Sequence, residues 1–295
     1  MALGIVCVII ASVSFGIGSV FAKELLTLGL NTFDIMFYQK IITLSVIGII
    51  FAVRRISVRV TKKQLWQLFL YCGLCNGLTG LLLVSSYNYL PIGIATMLHF
   101  IYPVVVTVFM VAFFKEKASA IKLICIAVAI FGLYLILDIS GSISFIGITL
   151  ALGSGFAYAI YVIANKKSKY KDLPALVVVF YSDLIGFIIL IPIQLARGQL
   201  KFALTGLELL FISASALISC LLSFFTLIIA IRRIGASNAA IANMLEPITA
   251  LVAGAIIFGD RIEFKALCGC ILVLMAITLV AINGKRASDA NESNH

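Results

Sequence analysis

The chain has 295 residues, of which 63% are hydrophobic and 12% charged, and its mean hydropathy is +1.19. Soluble domains are roughly half apolar and about a quarter charged, so this composition excludes an ordinary soluble enzyme or binding module. The net charge of +10 does not point to nucleic acid either, because the basic residues form short clusters between apolar runs, the pattern of loops at a membrane surface.

Apolar runs of about twenty residues recur along the chain, each able to cross a hydrocarbon core of roughly 30 Å. Backbone groups in lipid must be satisfied within the segment, and the alternation of a membrane barrel is absent, so the expected fold is an all-α polytopic membrane protein. Reading between charged or turn-rich breaks predicts ten spans, at approximately 2–22, 33–53, 65–88, 92–114, 119–137, 146–164, 174–196, 206–230, 235–258 and 264–282. The first lacks a basic leader and is read as a helix, not a cleaved signal. Lys40 falls inside the second span, and Cys72 and Cys75 inside the third. The fourth carries His99, Tyr102 and Pro103, the seventh Asp183, and the ninth Asn243, Glu246 and Pro247. Cys268 and Cys270 lie in the tenth; like the pair in the third, they read as small buried hydrophobes, because a metal or redox site needs polar partners that these runs lack. Glycines such as Gly16, Gly18, Gly73, Gly77, Gly153 and Gly155 read as points of close helix approach. Residues 285–295 form a polar tail expected to be disordered.

Loop charge orients the bundle. With a cytoplasmic N-terminus, one side receives Arg54, Arg55, Arg59, Lys62, Lys63, Lys115, Lys117, Lys122, Lys166, Lys167, Lys169, Lys171, Arg232, Arg233, Lys285 and Arg286. The other receives only Lys23, Arg197, Lys201, Arg261 and Lys265. This asymmetry predicts both termini in the cytoplasm of a multi-pass plasma-membrane protein, the inner membrane in a bacterium.

The chain also repeats itself. Leu98–Glu116 (LHFIYPVVVTVFMVAFFKE) aligns with Ala242–Asp260 (ANMLEPITALVAGAIIFGD) at an offset of 144, which places Pro103 on Pro247 and Glu116 on Asp260. Ser14-Phe15-Gly16 aligns with Gly155-Phe156-Ala157 at an offset of 141. Two five-helix halves, 1–138 and 139–284, are therefore expected. An odd number of helices makes the second half enter from the opposite side, the inverted repeat of many alternating-access carriers. With these duplicated motifs and the basic Lys40 in the second span, the chain resembles the EamA-type members of the drug/metabolite transporter superfamily. It departs from that pattern in having Phe at 15 and 156 where Trp is frequent, and Lys40 where Arg is frequent. The resemblance implies transport of amino acids or related metabolites, usually outward, with protons as the coupling ion.

Ionisable groups at membrane depth are expensive and mark function. Glu246 lies about eleven residues from either end of its span, roughly 16 Å deep. Asn243 is one turn earlier on the same face. Pro247 weakens the helical ladder and frees a carbonyl that could bind solute or ion. The repeat maps Glu246 onto Tyr102 and Asn243 onto His99, so these four groups, beside Pro103 and Pro247, are expected around one central cavity. Lys40 and Asp183 are equivalent at an offset of 143. They read either as a buried ion pair or as opposing clamps on a zwitterionic solute. Asn76, Tyr38, Tyr181, Ser219 and Ser223 are further polar or aromatic residues for the lining.

The expected function is secondary active transport of a small polar metabolite, with the lipid bilayer and protons as partners and no nucleic acid, cofactor or metal; the protein is a monomer or a homodimer. The alternatives are an importer of a cationic or zwitterionic metabolite, and a membrane-embedded enzyme. The enzyme would need a nucleophile with a base, or a metal cluster, and the sequence offers neither constellation.

Overall fold

A computed structural model describes residues 1–86, 88–90, 92–116, 120–136, 144–259 and 262–292, and among these every regular element is helical. Ten spans follow in order: α1 (Ala2–Thr27), α2 (Thr32–Arg54), α3 (Lys62–Ser86), α4 (Ile92–His99 and Tyr102–Phe114), α5 (Ala120–Ile136), α6 (Phe145–Lys167), α7 (Ala175–Arg197), α8 (Gly206–Ile234), α9 (Ala236–Ala242, Asn243–Leu245 and Glu246–Phe258) and α10 (Phe264–Glu292). Eight are long and apolar enough to cross a membrane, and α5 and the apolar part of α10 are shorter. Local chemistry fixes their ends. Asn31 accepts from the Asp34 N–H to start α2, and Thr61 with Gln64 and Thr205 with Glu208 form capping boxes at the starts of α3 and α8. Gly198 and Gly259 end α7 and α9 in the left-handed conformation. The helix of α10 continues through residues 285–292 rather than ending at 284, because extending a helix requires no new nucleus. Asp260, the second acidic end of the repeat, lies outside the described residues.

The principal helix contacts come in matched pairs. Helix α1 packs on α8 and α9, while α6 packs on α3 and α4; α2 lies against α7 and α8, and α7 against α2 and α3. Helix α4 meets α9, and α5 meets α10, so each of these contacts has a counterpart five helices along. Large apolar side chains such as Val53, Phe113, Leu195 and Ile256 point outward, as a lipid-facing surface requires.

Among the described residues, four helices depart from regular α geometry. Helices α4 and α9 break where Pro103 and Pro247 take the second position of a new helical segment. Helices α3 and α8 each contain a π-helical stretch, Leu68–Cys75 and Ala216–Leu222, of the kind that recurs at functional sites. Sequence reading missed both stretches. All four irregularities border the centre of the bundle.

Candidate functional site

The central cavity is about 250 Å³, and every helix except α5 and α10 contributes to its wall. Lys40, His99, Tyr102 and Glu246 all line it, together with Phe15, Gln39, Asn76, Tyr158, Ser182 and Phe224. Ligand sites for drug-sized molecules begin at about 300 Å³, so this space suits a small solute.

The broken helix α9 supplies the carboxylate. Glu246 opens a new segment, and its Oε2 accepts from Asn243 Nδ2 at 3.2 Å. The same amide donates to the Tyr102 hydroxyl at 3.2 Å, and the Asn243 oxygen lies 3.0 Å from Ser12 Oγ. One buried asparagine therefore ties α1, α4 and α9 together behind the carboxylate. Asn243 does not itself line the cavity; it holds Glu246 and Tyr102, which do. The carbonyl that Pro247 releases is not free, in contrast to the sequence expectation. The Asn243 carbonyl accepts from the Glu246 N–H in a 3₁₀ turn, because the chain tightens by one residue to recover the lost bond.

Helix α4 forms the matching wall. Ser154 Oγ donates to the Ala151 carbonyl at 2.6 Å, so His99 Nδ1, 2.9 Å from the same oxygen, is the donor to it. His99 packs among Phe100, Tyr102 and Tyr158 with its ring inclined to each, and the Tyr102 and Tyr158 rings meet edge to face at 4.8 Å. Glycines let the neighbouring helices reach both breaks. A Cβ on Gly16 would lie 2.7 Å from the Glu246 carbonyl oxygen, and one on Gly155 would lie 2.6 Å from that of His99.

Lys40 and Asp183 are joined as an ion pair. Lys40 reaches the cavity wall, whereas Asp183 lies behind it, buried, with its second oxygen, Oδ2, lacking a hydrogen-bond partner. The two do not face each other across a solute, so the geometry is that of the pair and not of opposing clamps. Asn76 does line the space, but Tyr38 and Tyr181 donate to the carbonyls of Lys201 and Val58, and Ser219 and Ser223 are not in the wall. Gly77 faces open space rather than a helix.

Several residues of the wall were missed by sequence reasoning, Phe224 among them. Gln39, Ser182 and Tyr158 are ordinary members of helices, but their spacing from Lys40, Asp183 and Phe15 was a usable signal. Tyr158 stands 143 residues after Phe15, the same offset that relates Lys40 to Asp183. The offset of 141 paired Phe15 with Phe156, which points outward and is 49% exposed. Three matched residues were too few to fix a helical register.

The EamA-like transporter family model matches the chain twice, over residues 2–138 and 145–282. The chain belongs to the EamA-like transporter family. The threonine/homoserine exporter RhtA of Salmonella typhimurium is 30% identical over 230 residues, 75% of this chain and 74% of its own. The uncharacterized transporter YvbV of Bacillus subtilis is 27% identical over 256 residues, covering 80% and 78%. A solved crystal structure superposes with a TM-score of 0.78 at 14% identity, over 96% of this chain and 98% of its own, which shows a shared fold.

In this EamA-like membrane transporter the cavity extends from the centre of the bundle toward one end. Its wall runs from the middle of α2, α3 and α7 through Met36, Gly80 and Leu190, toward the end with few basic loop residues. The basic end is closed. Arg232 donates to the Leu173 and Tyr170 carbonyls at 2.5 and 3.4 Å, and Lys166 donates to the Arg232 carbonyl at 2.6 Å. Cys72, in the cavity floor, donates to the Tyr170 hydroxyl at 3.2 Å. Burial, and then the neighbouring Cys72 thiol, push the Tyr170 hydroxyl up from its ordinary range, so it stays protonated beneath the floor.

Proposed function

We propose that this transporter exports a small amino acid or related polar metabolite across the plasma membrane in exchange for protons, by alternating access. The observation that carries the reading is Glu246, a carboxylate at a helix break in the wall of a small cavity, held among the described residues by a neutral amide. A charge at this depth is costly without a cation, so the carboxylate takes either a proton or a positively charged group of the solute. Because both compete for one group, the carrier returns with one after releasing the other, and the two flows are coupled. The exporter similar to this chain is named for threonine and homoserine, which fit a cavity of about 250 Å³. With the basic end placed in the cytoplasm, the conformation described faces outward.

The test is flux into proteoliposomes holding the purified protein. An acidic lumen drives protons out and should drive accumulation of labelled L-threonine or L-homoserine, and a protonophore should abolish it. Solute entry indifferent to the pH gradient contradicts proton exchange.

A further inference from the structure

We infer that the cavity recognises its solute by the ammonium group, seated on Glu246 against aromatic walls, and that a solute carboxylate is dispensable. The inference rests on the reading of Glu246 as the binding carboxylate and adds which end of the solute it selects.

The charges around the cavity decide the matter. Lys40 is the cation in the wall, and its charge is already met by Asp183. Among the described residues, the ion pairs formed do not include Glu246, whose partner is the Asn243 amide. The wall thus carries one uncompensated negative charge when Glu246 is ionised. An incoming ammonium cancels it, whereas an incoming carboxylate must share Lys40 with Asp183 and adds a second negative charge to a confined space.

The walls fit the same group. Phe15 and Phe224 meet edge to face at 5.1 Å, Tyr102 and Tyr158 do so at 4.8 Å, and all four line the cavity with Glu246. Aromatic faces stabilise a desolvated cation by about 0.5–2 kcal/mol each and do nothing for a carboxylate. The solute class is therefore small primary amines, amino acids included, and N-acylated compounds are rejected.

Three probes separate the ends of one molecule: L-threonine, L-threoninol (ammonium without carboxylate) and N-acetyl-L-threonine (carboxylate without ammonium). Thermal stabilisation of the purified transporter measures their binding. L-threoninol should bind at least as tightly as L-threonine, and N-acetyl-L-threonine should not bind. Phe224→Leu should weaken L-threoninol roughly 3- to 30-fold, as loss of one aromatic face implies. Binding of N-acetyl-L-threonine as tight as that of L-threoninol overturns the inference while leaving Glu246-dependent transport standing. The inference also falls if none of the three binds but a pH gradient drives another solute into proteoliposomes. If no probe binds and no gradient-driven flux exists, the transport reading falls with it.

Discussion

At the scale of single residues, the pairing of Lys40 with Asp183 makes a prediction about stability that is independent of transport. Removing one partner leaves a buried charge, which costs about 3–5 kcal/mol, while replacing both by apolar side chains is often tolerated. Lys40→Met should therefore lower the thermal unfolding temperature in detergent sharply, and Lys40→Met with Asp183→Leu should recover most of the loss. A double variant no more stable than the single one would show that the pair is not self-contained. Both residues were legible in the sequence, because a charge inside an apolar run stands out. Glu246 was legible for the same reason. Tyr158 and Gln39 were missed, since nothing within a single helix marks which face meets a cavity and only the repeat offset of 143, not used for them, singles them out. Asn243 was found, but its role as a brace behind the carboxylate depends on the 3₁₀ turn, which no local pattern announces.

At the scale of elements, contrasting glycines test the helix contacts. On Gly16 even a Cβ would lie 2.6 Å from the Thr249 side chain and 2.7 Å from the Glu246 carbonyl oxygen, so Gly16→Val should cost about 1–3 kcal/mol by overpacking. Gly77 has nothing within 4 Å of that position, and Gly77→Ala should leave the unfolding temperature unchanged. Equal losses would mean that α1 and α9 are not in this contact. The closed basic end offers a second test. Arg232 holds the segment between α6 and α7 through the Tyr170 and Leu173 carbonyls, so Arg232→Ala should loosen it. Cys72, kept as the single cysteine, should then react faster with a thiol reagent applied from the basic side, and an unchanged rate would remove Arg232 from the closure. The helices themselves were readable from apolar length, and the breaks of α4 and α9 from their prolines. The π stretches in α3 and α8 were hidden, because they arise where each packs on another helix, not from a residue that forces them.

At the scale of the whole molecule, the fold and its repetition were the most legible features, because span length and loop charge are summed over many residues. Orientation is tested by single cysteines in a cysteine-free background. Cysteines at the exposed Arg59 and Lys169 should resist an impermeant reagent applied outside intact cells and react after permeabilisation. One at Phe202, 85% exposed at the other end of the bundle, should react at once. The reverse pattern would invert the protein in the membrane. The central claim, that one carboxylate binds proton and solute in turn, is tested most directly by Glu246→Gln in proteoliposomes with an acidic lumen. Glutamine keeps the size and a hydrogen-bonding oxygen but cannot titrate, so the variant should fold, lose accumulation driven by the pH gradient and become insensitive to a protonophore. Full gradient-driven accumulation by Glu246→Gln would contradict the account and move coupling to His99 or Asp183.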